Sequence, residues 1–190
     1  MVRAMTTPLA PKPKRGRPAR LSRDVIAGAA LDLGVTRLSM NALAEHLGVA
    51  KSSLYGWVSS REELLGLVSN VVMERCLPTG DPVDGDWRTW LAELAWCMRR
   101  ELLAVPGYAA YVAGPHEHHS AAFGRLRGRV VEVFETCAGL DPEIAVQNWY
   151  IFSRSVINWL PLEQQARDLS EPAPRFDLLL QVLLRGLPAR

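Results

Sequence analysis

The chain has 190 residues, 48% apolar and 22% charged, enough to bury a core without staples and balanced like a globular protein in water. No run of apolar residues is long enough for a membrane span, and none follows the N-terminal basic residues, so no secretory leader is expected. Three scattered cysteines, Cys76, Cys97 and Cys137, include no CxxC pair; they argue against a disulfide framework or structural zinc and suit a reducing cytoplasm. The formal net charge of +2 is unevenly spread: ten basic and three acidic side chains lie up to Arg61, and twelve basic face seventeen acidic beyond it. An anionic partner is therefore expected for the first third alone.

Residues 1–20 carry four prolines and six basic side chains with no apolar period, the composition of a disordered or extended arm. From Ser22 the pattern is helical almost throughout. Ser22 suits an N-cap ahead of Val25, Ile26, Ala29, Ala30 and Leu33, and Gly34 stops that stripe. Ser39 caps a second short helix with Met40, Leu43, Ala44 and Leu47 on one face, and Gly48 ends it by taking a left-handed conformation. A third short helix is predicted over roughly 51–57. Glu62 and Glu63 then open a fourth, at the positive end of its dipole. After a Pro-, Gly- and Asp-rich break over 78–86, Trp87, Trp90, Leu91, Leu94, Met98 and Leu102 mark a long amphipathic helix ending before Pro106. A short apolar piece over 108–113 and a helix through Leu126, Val130, Val133 and Phe134 follow. Asp141 and Pro142 open the next helix, where Pro161 is expected to kink or close it, and Phe176 to Leu187 form the last. With no convincing strand pattern and no repeat, the fold class is all-α.

Two short helices joined by a glycine turn, the second rich in small polar residues, fit a helix-turn-helix, in which the first braces and the second enters the major groove. Val49, Leu54 and Val58 would anchor the second helix, leaving Lys51, Ser52, Ser53, Tyr55, Gly56 and Trp57 wholly or partly outward. On pattern alone an ordinary helical corner fits as well. The wording of the segment adds to the pattern. Leu38 through Leu65 resembles the DNA-binding domain of the TetR (tetracycline-repressor) family, in the Ser39 cap, Leu43-Ala44, the Gly48-Val49 turn, Leu54-Tyr55 and Glu63-Leu64-Leu65. Gly56-Trp57-Val58 departs from the usual wording, and Arg61 stands where lysine is common. The resemblance implies an N-terminal helix-turn-helix domain, here 21–66, and a helical effector-binding and dimerisation domain, here 67–190. It implies phosphate contacts from Ser39, Tyr55 and Arg61, groove positions for Lys51, Ser52 and Ser53, and a place for Asn41 near an adenine edge. Trp57 joins this set, with a packing role as its alternative. In the arm, Arg15-Gly16-Arg17-Pro18 has the form of an AT-hook core, which would lay Arg15 and Arg17 into a narrow minor groove.

The body's aromatic residues at helical spacing are more often core than ligand box, but the resemblance implies an effector pocket between helices, for which Trp90, Met98, Tyr111, Asn148, Trp149 and Phe152 are the candidates. The last helix is apolar nearly all round, so burial on two sides is expected; the resemblance adds a homodimer built from it and the long helix before it. His116, His118 and His119 flank Glu117 in a spacing that matches no zinc motif, and a solvated loop fits it better than a metal or effector contact. No metal or cofactor is assigned. The expected function is a ligand-responsive transcriptional repressor, a homodimer on a palindromic DNA operator released by a small-molecule effector. An activator of the same fold is the alternative. A non-DNA-binding helical adaptor and a metal-dependent enzyme are the readings from other classes, and no nucleophile–base spacing or phosphate-cradling glycine loop supports the enzyme.

Overall fold

Side-chain caps fix where most of the helices begin. The computed structural model describes residues 21–115, 120–170, 172 and 174–188, and among them the regular structure is entirely helical. In chain order the helices are α1 (Arg23–Leu33), α2 (Met40–Leu47), α3 (Lys51–Leu54), α4 (Arg61–Cys76), α5 (Trp87–Ala104), α6 (Tyr108–Ala113), α7 (Ala121–Thr136), α8 (Pro142–Asp168) and α9 (Phe176–Gly186). Ser22, Ser39, Ser60, Asp86 and Ser120 each accept a hydrogen bond from the backbone N–H three residues on. Such caps satisfy donors that the first turn leaves free. The arm with Arg15 and Arg17 and the cluster of His116, His118 and His119 lie outside the described residues.

Helix α1 packs on α2 and α4, and α2 on α3, forming a small head around Ile26, Leu43, Leu54, Val58 and Leu64. The body is built on α8, which lies against α5, α6 and α7, with α9 laid across α5 and α8. Helix α4 belongs to both: it packs on α1 in the head and on α5 and α7 in the body, and it runs unbroken through residue 66. Among the described residues no helix is long and apolar enough to cross a membrane.

Head and body also meet at a seam too tight for side chains. Gly34 and Gly107 both have positive φ, +70° and +78°. A Cβ on Gly34 would stand 2.7 Å from the Pro106 Cβ, and one on Gly107 would stand 2.6 Å from the Thr36 Cγ2. Only glycine allows both the conformation and the approach. The Val35 N–H donates to the Pro106 carbonyl at 2.8 Å across this seam.

One expectation needs correction and a second is narrowed. The third helix stops at Leu54 rather than continuing to Trp57. The N–H groups of Trp57 and Val58 both return to the Leu54 carbonyl, at 2.8 and 2.9 Å, in a turn that swings Val58 into the core. Of the two outcomes expected at Pro161, a kink or an end, the end does not occur, because α8 continues to Asp168. A proline forfeits one backbone bond and crowds the carbonyl four residues back. Buried Ile157, Leu160, Glu163 and Ala166 on either side keep the helix on the body, and Glu163 takes three hydrogen bonds from the Arg99 guanidinium, at 2.6 to 3.1 Å.

Candidate nucleic-acid interface and internal cavity

Leu54 and Val58 are buried, as anchors of the α3 segment should be, and Val49 packs partly against the same core. With those positions turned in, Lys51, Ser52 and Ser53 face solvent together on the opposite side. Tyr55 is 53% and Trp57 40% exposed, so both present part of their rings to solvent. The Lys51 ammonium lies 5.8 Å from the Tyr55 ring centroid, near enough for a cation–π contact that holds both on one surface. Asn41 is exposed in the first turn of α2. Beside it, Ser39 is exposed too, while its hydroxyl caps the Ala42 N–H at 3.1 Å.

Arg61 lies where phosphate contact is expected, but much of its guanidinium is engaged inward. Its Nε donates to the Leu38 carbonyl at 2.9 Å and one Nη to the Val35 carbonyl at 3.0 Å, fastening the α1–α2 loop to the start of α4. The neighbouring acids are held by local donors. The Ser59 backbone N–H and hydroxyl bind Glu63 and hold its carboxyl below the usual range, and its own backbone N–H and Ser60 do the same for Glu62.

The body contains a cavity of about 310 Å³ directly behind this junction. Arg61, Glu62, Leu65, Gly66, Ser69 and Met73 of α4 form one wall, and Tyr108, Tyr111 and Val112 of α6 another. Leu102, Ser120, Phe123 and Ile157 complete it. The chamber is mostly apolar and aromatic, with hydroxyls at Ser69, Ser120, Tyr108 and Tyr111 and a charged mouth at Arg61 and Glu62. Burial pushes the Tyr108 phenol well above its ordinary range despite a hydrogen bond with Ser69, so it stays neutral. Burial also raises Tyr111, partly countered by the Arg61 charge.

Of the six ligand-site candidates, Tyr111 alone lines this chamber. Trp149 stands one layer behind, edge-on to Phe123 at 5.9 Å between centroids. Met98 and Phe152 are wholly inside the core. Trp90 lies at a different cleft, its indole N–H donating to the Gly80 carbonyl at 2.9 Å. Asn148 is buried with its amide donating to the Ile144 carbonyl at 2.8 Å, and its side-chain oxygen is without a partner. The wall contributed by α4 was missed because attention to aromatic side chains leads away from it. Gly66 was the readable sign: a mid-helix glycine costs about 1 kcal/mol relative to alanine and usually has a packing or functional reason. A Cβ there would meet nothing within 4 Å.

A second exposed apolar surface lies along α8 and α9. Ile144, Ile151, Leu162 and Leu169 recur at helical spacing along α8 and its C-cap, all exposed. On α9, Phe176, Leu180 and Leu184 turn inward while Leu178 and Val182 face out, the latter 74% exposed. Among the described residues no group of three or more His, Cys, Asp or Glu side chains is placed to hold a metal ion.

No protein-family profile matches the chain. Over 98 residues, half of the chain, it is 35% identical to the HTH-type transcriptional repressor DrrR1 of Streptomyces coeruleorubidus; the matched stretch spans 35% of that relative. It spans 41% of the Escherichia coli tetracycline repressor protein class D, at 32% identity over 90 residues. The chain thus spans well under half the length of the curated relatives it matches. Among solved structures, ActR from Streptomyces coelicolor superposes with a TM-score of 0.73 at 23% identity, covering 91% of this chain and 96% of that one. The fold is that of the TetR-family regulators, an N-terminal helix-turn-helix head on a C-terminal helical body.

Proposed function

We propose that this chain, a TetR-family protein by its fold and by the wording of its head, is a transcriptional repressor of the cytoplasm that binds a palindromic DNA operator as a homodimer and is released by a small molecule. The observation that carries this reading is the division of the α3 segment: Leu54 and Val58 buried, Lys51, Ser52, Ser53, Tyr55 and Trp57 exposed as one surface. Small residues at Ser52 and Ser53 let the backbone come close to base edges, and Lys51 suits a guanine edge or a phosphate. Ser39, Tyr55 and Arg61 take the phosphates on either side, and Asn41 an adjoining base. Arg15 and Arg17 are assigned to the minor groove on their sequence alone. The repressors named among its relatives support the sign of the effect.

The outer stripe of α8 with Leu178 and Val182 of α9 is the surface assigned to the homodimer. Pairing two heads sets them about 34–36 Å apart, one turn of the duplex, and makes two weak contacts act as one strong one. The effector belongs in the cavity behind Arg61, where Tyr111 is retained as a ligand contact, and Trp149, Met98 and Phe152 support its walls from behind. A ligand there touches α4 and α6, which carry the two fastenings of the head: Arg61 on the α1–α2 loop, and the Pro106–Gly107 seam beside α6. It shifts the population toward release only as far as it binds the released form better.

Selection of bound sequences from a random duplex pool tests the reading. The expected result is an inverted repeat with half-sites one helical turn apart; recovery of no preferred sequence would overturn it. Gly66→Leu, which fills the chamber without touching the outer head surface, should leave operator binding intact and weaken uptake of an apolar fluorescent probe such as N-phenyl-1-naphthylamine at least tenfold. Unchanged uptake would place the ligand elsewhere.

A further inference from the structure

The proposed function makes no use of two cysteines that the fold brings together. Cys76 closes the last turn of α4, and Cys97 lies midway along α5. Cys76 is buried, Cys97 half-buried, and both line a cleft of about 340 Å³ beside the 77–81 segment. The Cys97 sulfur lies against the backbone of Arg75, the residue before Cys76, and both thiols open onto that one cleft. The Cys97 thiol donates to the Arg75 carbonyl at 3.4 Å, so its one proton is committed there. From the other side Arg100 donates an N–H to that same sulfur at 3.2 Å.

We propose that Cys76 and Cys97 are a peroxide-oxidisable dithiol whose disulfide ties the end of α4 to α5. The Cys97 sulfur, reached through the cleft and flanked by the Arg100 cation, attacks one oxygen of the peroxide. The O–O bond breaks, the other oxygen leaves with the Cys97 proton as water, and Cys97 becomes a sulfenic acid. The Cys76 sulfur then attacks the Cys97 sulfur, the S–O bond breaks, and hydroxide leaves with the Cys76 proton as a second water. Two thiols have lost two electrons to one peroxide. Burial raises the Cys76 thiol far above its ordinary range, which keeps it protonated and leaves the first attack on peroxide to the more accessible Cys97; Cys76 gives up its proton only in the second step, to the departing hydroxide. A bond of about 2.05 Å requires both side chains to rotate and the helices to approach slightly. The consequence falls on α4, the helix shared by head and body, whose C-terminal end becomes covalently fixed.

Hydrogen peroxide is the probe, applied to the full chain and followed by alkylation under denaturing conditions. The free-thiol count should fall from three to one per chain, with Cys137 the thiol that remains alkylated and a peptide mapped that joins Cys76 to Cys97. Cys97→Ser should leave Cys76 as a free thiol after the same treatment. Cys76→Ser should stop at a sulfenic acid on Cys97 that dimedone traps. Because Cys76 is buried, the wild-type mapping and Cys97→Ser decide the matter should Cys76→Ser fail to fold. Preferential oxidation of Cys137, links between chains, or Cys76 and Cys97 that both remain alkylatable would overturn the proposal. None of these outcomes depends on whether the head binds DNA.

Discussion

In the head, Leu43, Leu54 and Val58 point inward and leave Lys51, Ser52, Ser53 and Tyr55 outside, so the side chains that carry the proposed function are the ones the core does not use. In the body the relation is reversed. Trp149, Phe152 and Met98 are consumed by the core, and the cavity is lined mainly by the less conspicuous side of α4 together with α6. A surface that must enter a groove in DNA is defined by what a short helix leaves out. A chamber is defined by several helices failing to meet, and no single helix announces it.

This contrast can be broken most forcefully in the body. Glu163 is wholly buried and bound by Arg99, whose guanidinium also lies over Trp96 and Phe176. Removing the arginine leaves the buried carboxylate uncompensated, so Arg99→Ala should cost about 3–5 kcal/mol in urea unfolding. A loss below about 1 kcal/mol would show that apolar packing alone carries α8 past Pro161. The head should answer differently. Lys51→Ala should weaken operator binding by about 1–3 kcal/mol in anisotropy titrations while leaving the unfolding midpoint unchanged, since the side chain is exposed. A fall in stability instead would make Lys51 a structural residue and remove the division on which the reading rests. Ser39→Ala gives the smallest effect and sharpens the comparison by mixing the two behaviours. The lost cap costs about 1 kcal/mol of stability, and any further loss of operator affinity measured on fully folded protein reports a phosphate contact.

How far each part was legible follows from how local its determinants are. The capped starts at Ser22 and Ser39, the left-handed Gly48 and the buried Leu54 are settled within a few residues of chain, and all stand where the pattern puts them. Trp57 was harder, because its exposure depends on a turn made by two N–H groups sharing the Leu54 carbonyl. Arg61 has a role that only distant chain explains: its acceptors lie 23 and 26 residues away. Pro161 is instructive in the same way, since a local rule says the helix should end and burial across the body holds it together.

The amino-acid order by itself determined the helical class, the capped starts of the head's first two helices and which side chains of the α3 segment would be left over, because hydrogen bonds and apolar spacing within a turn or two of helix decide those matters. Only the folded chain decided that α4 walls a chamber, that Gly34 and Gly107 seat head against body, and that Cys76 and Cys97 share a cleft. Each of those depends on where helices remote in sequence cross, which is set by the joint packing of many side chains and is written in no single stretch.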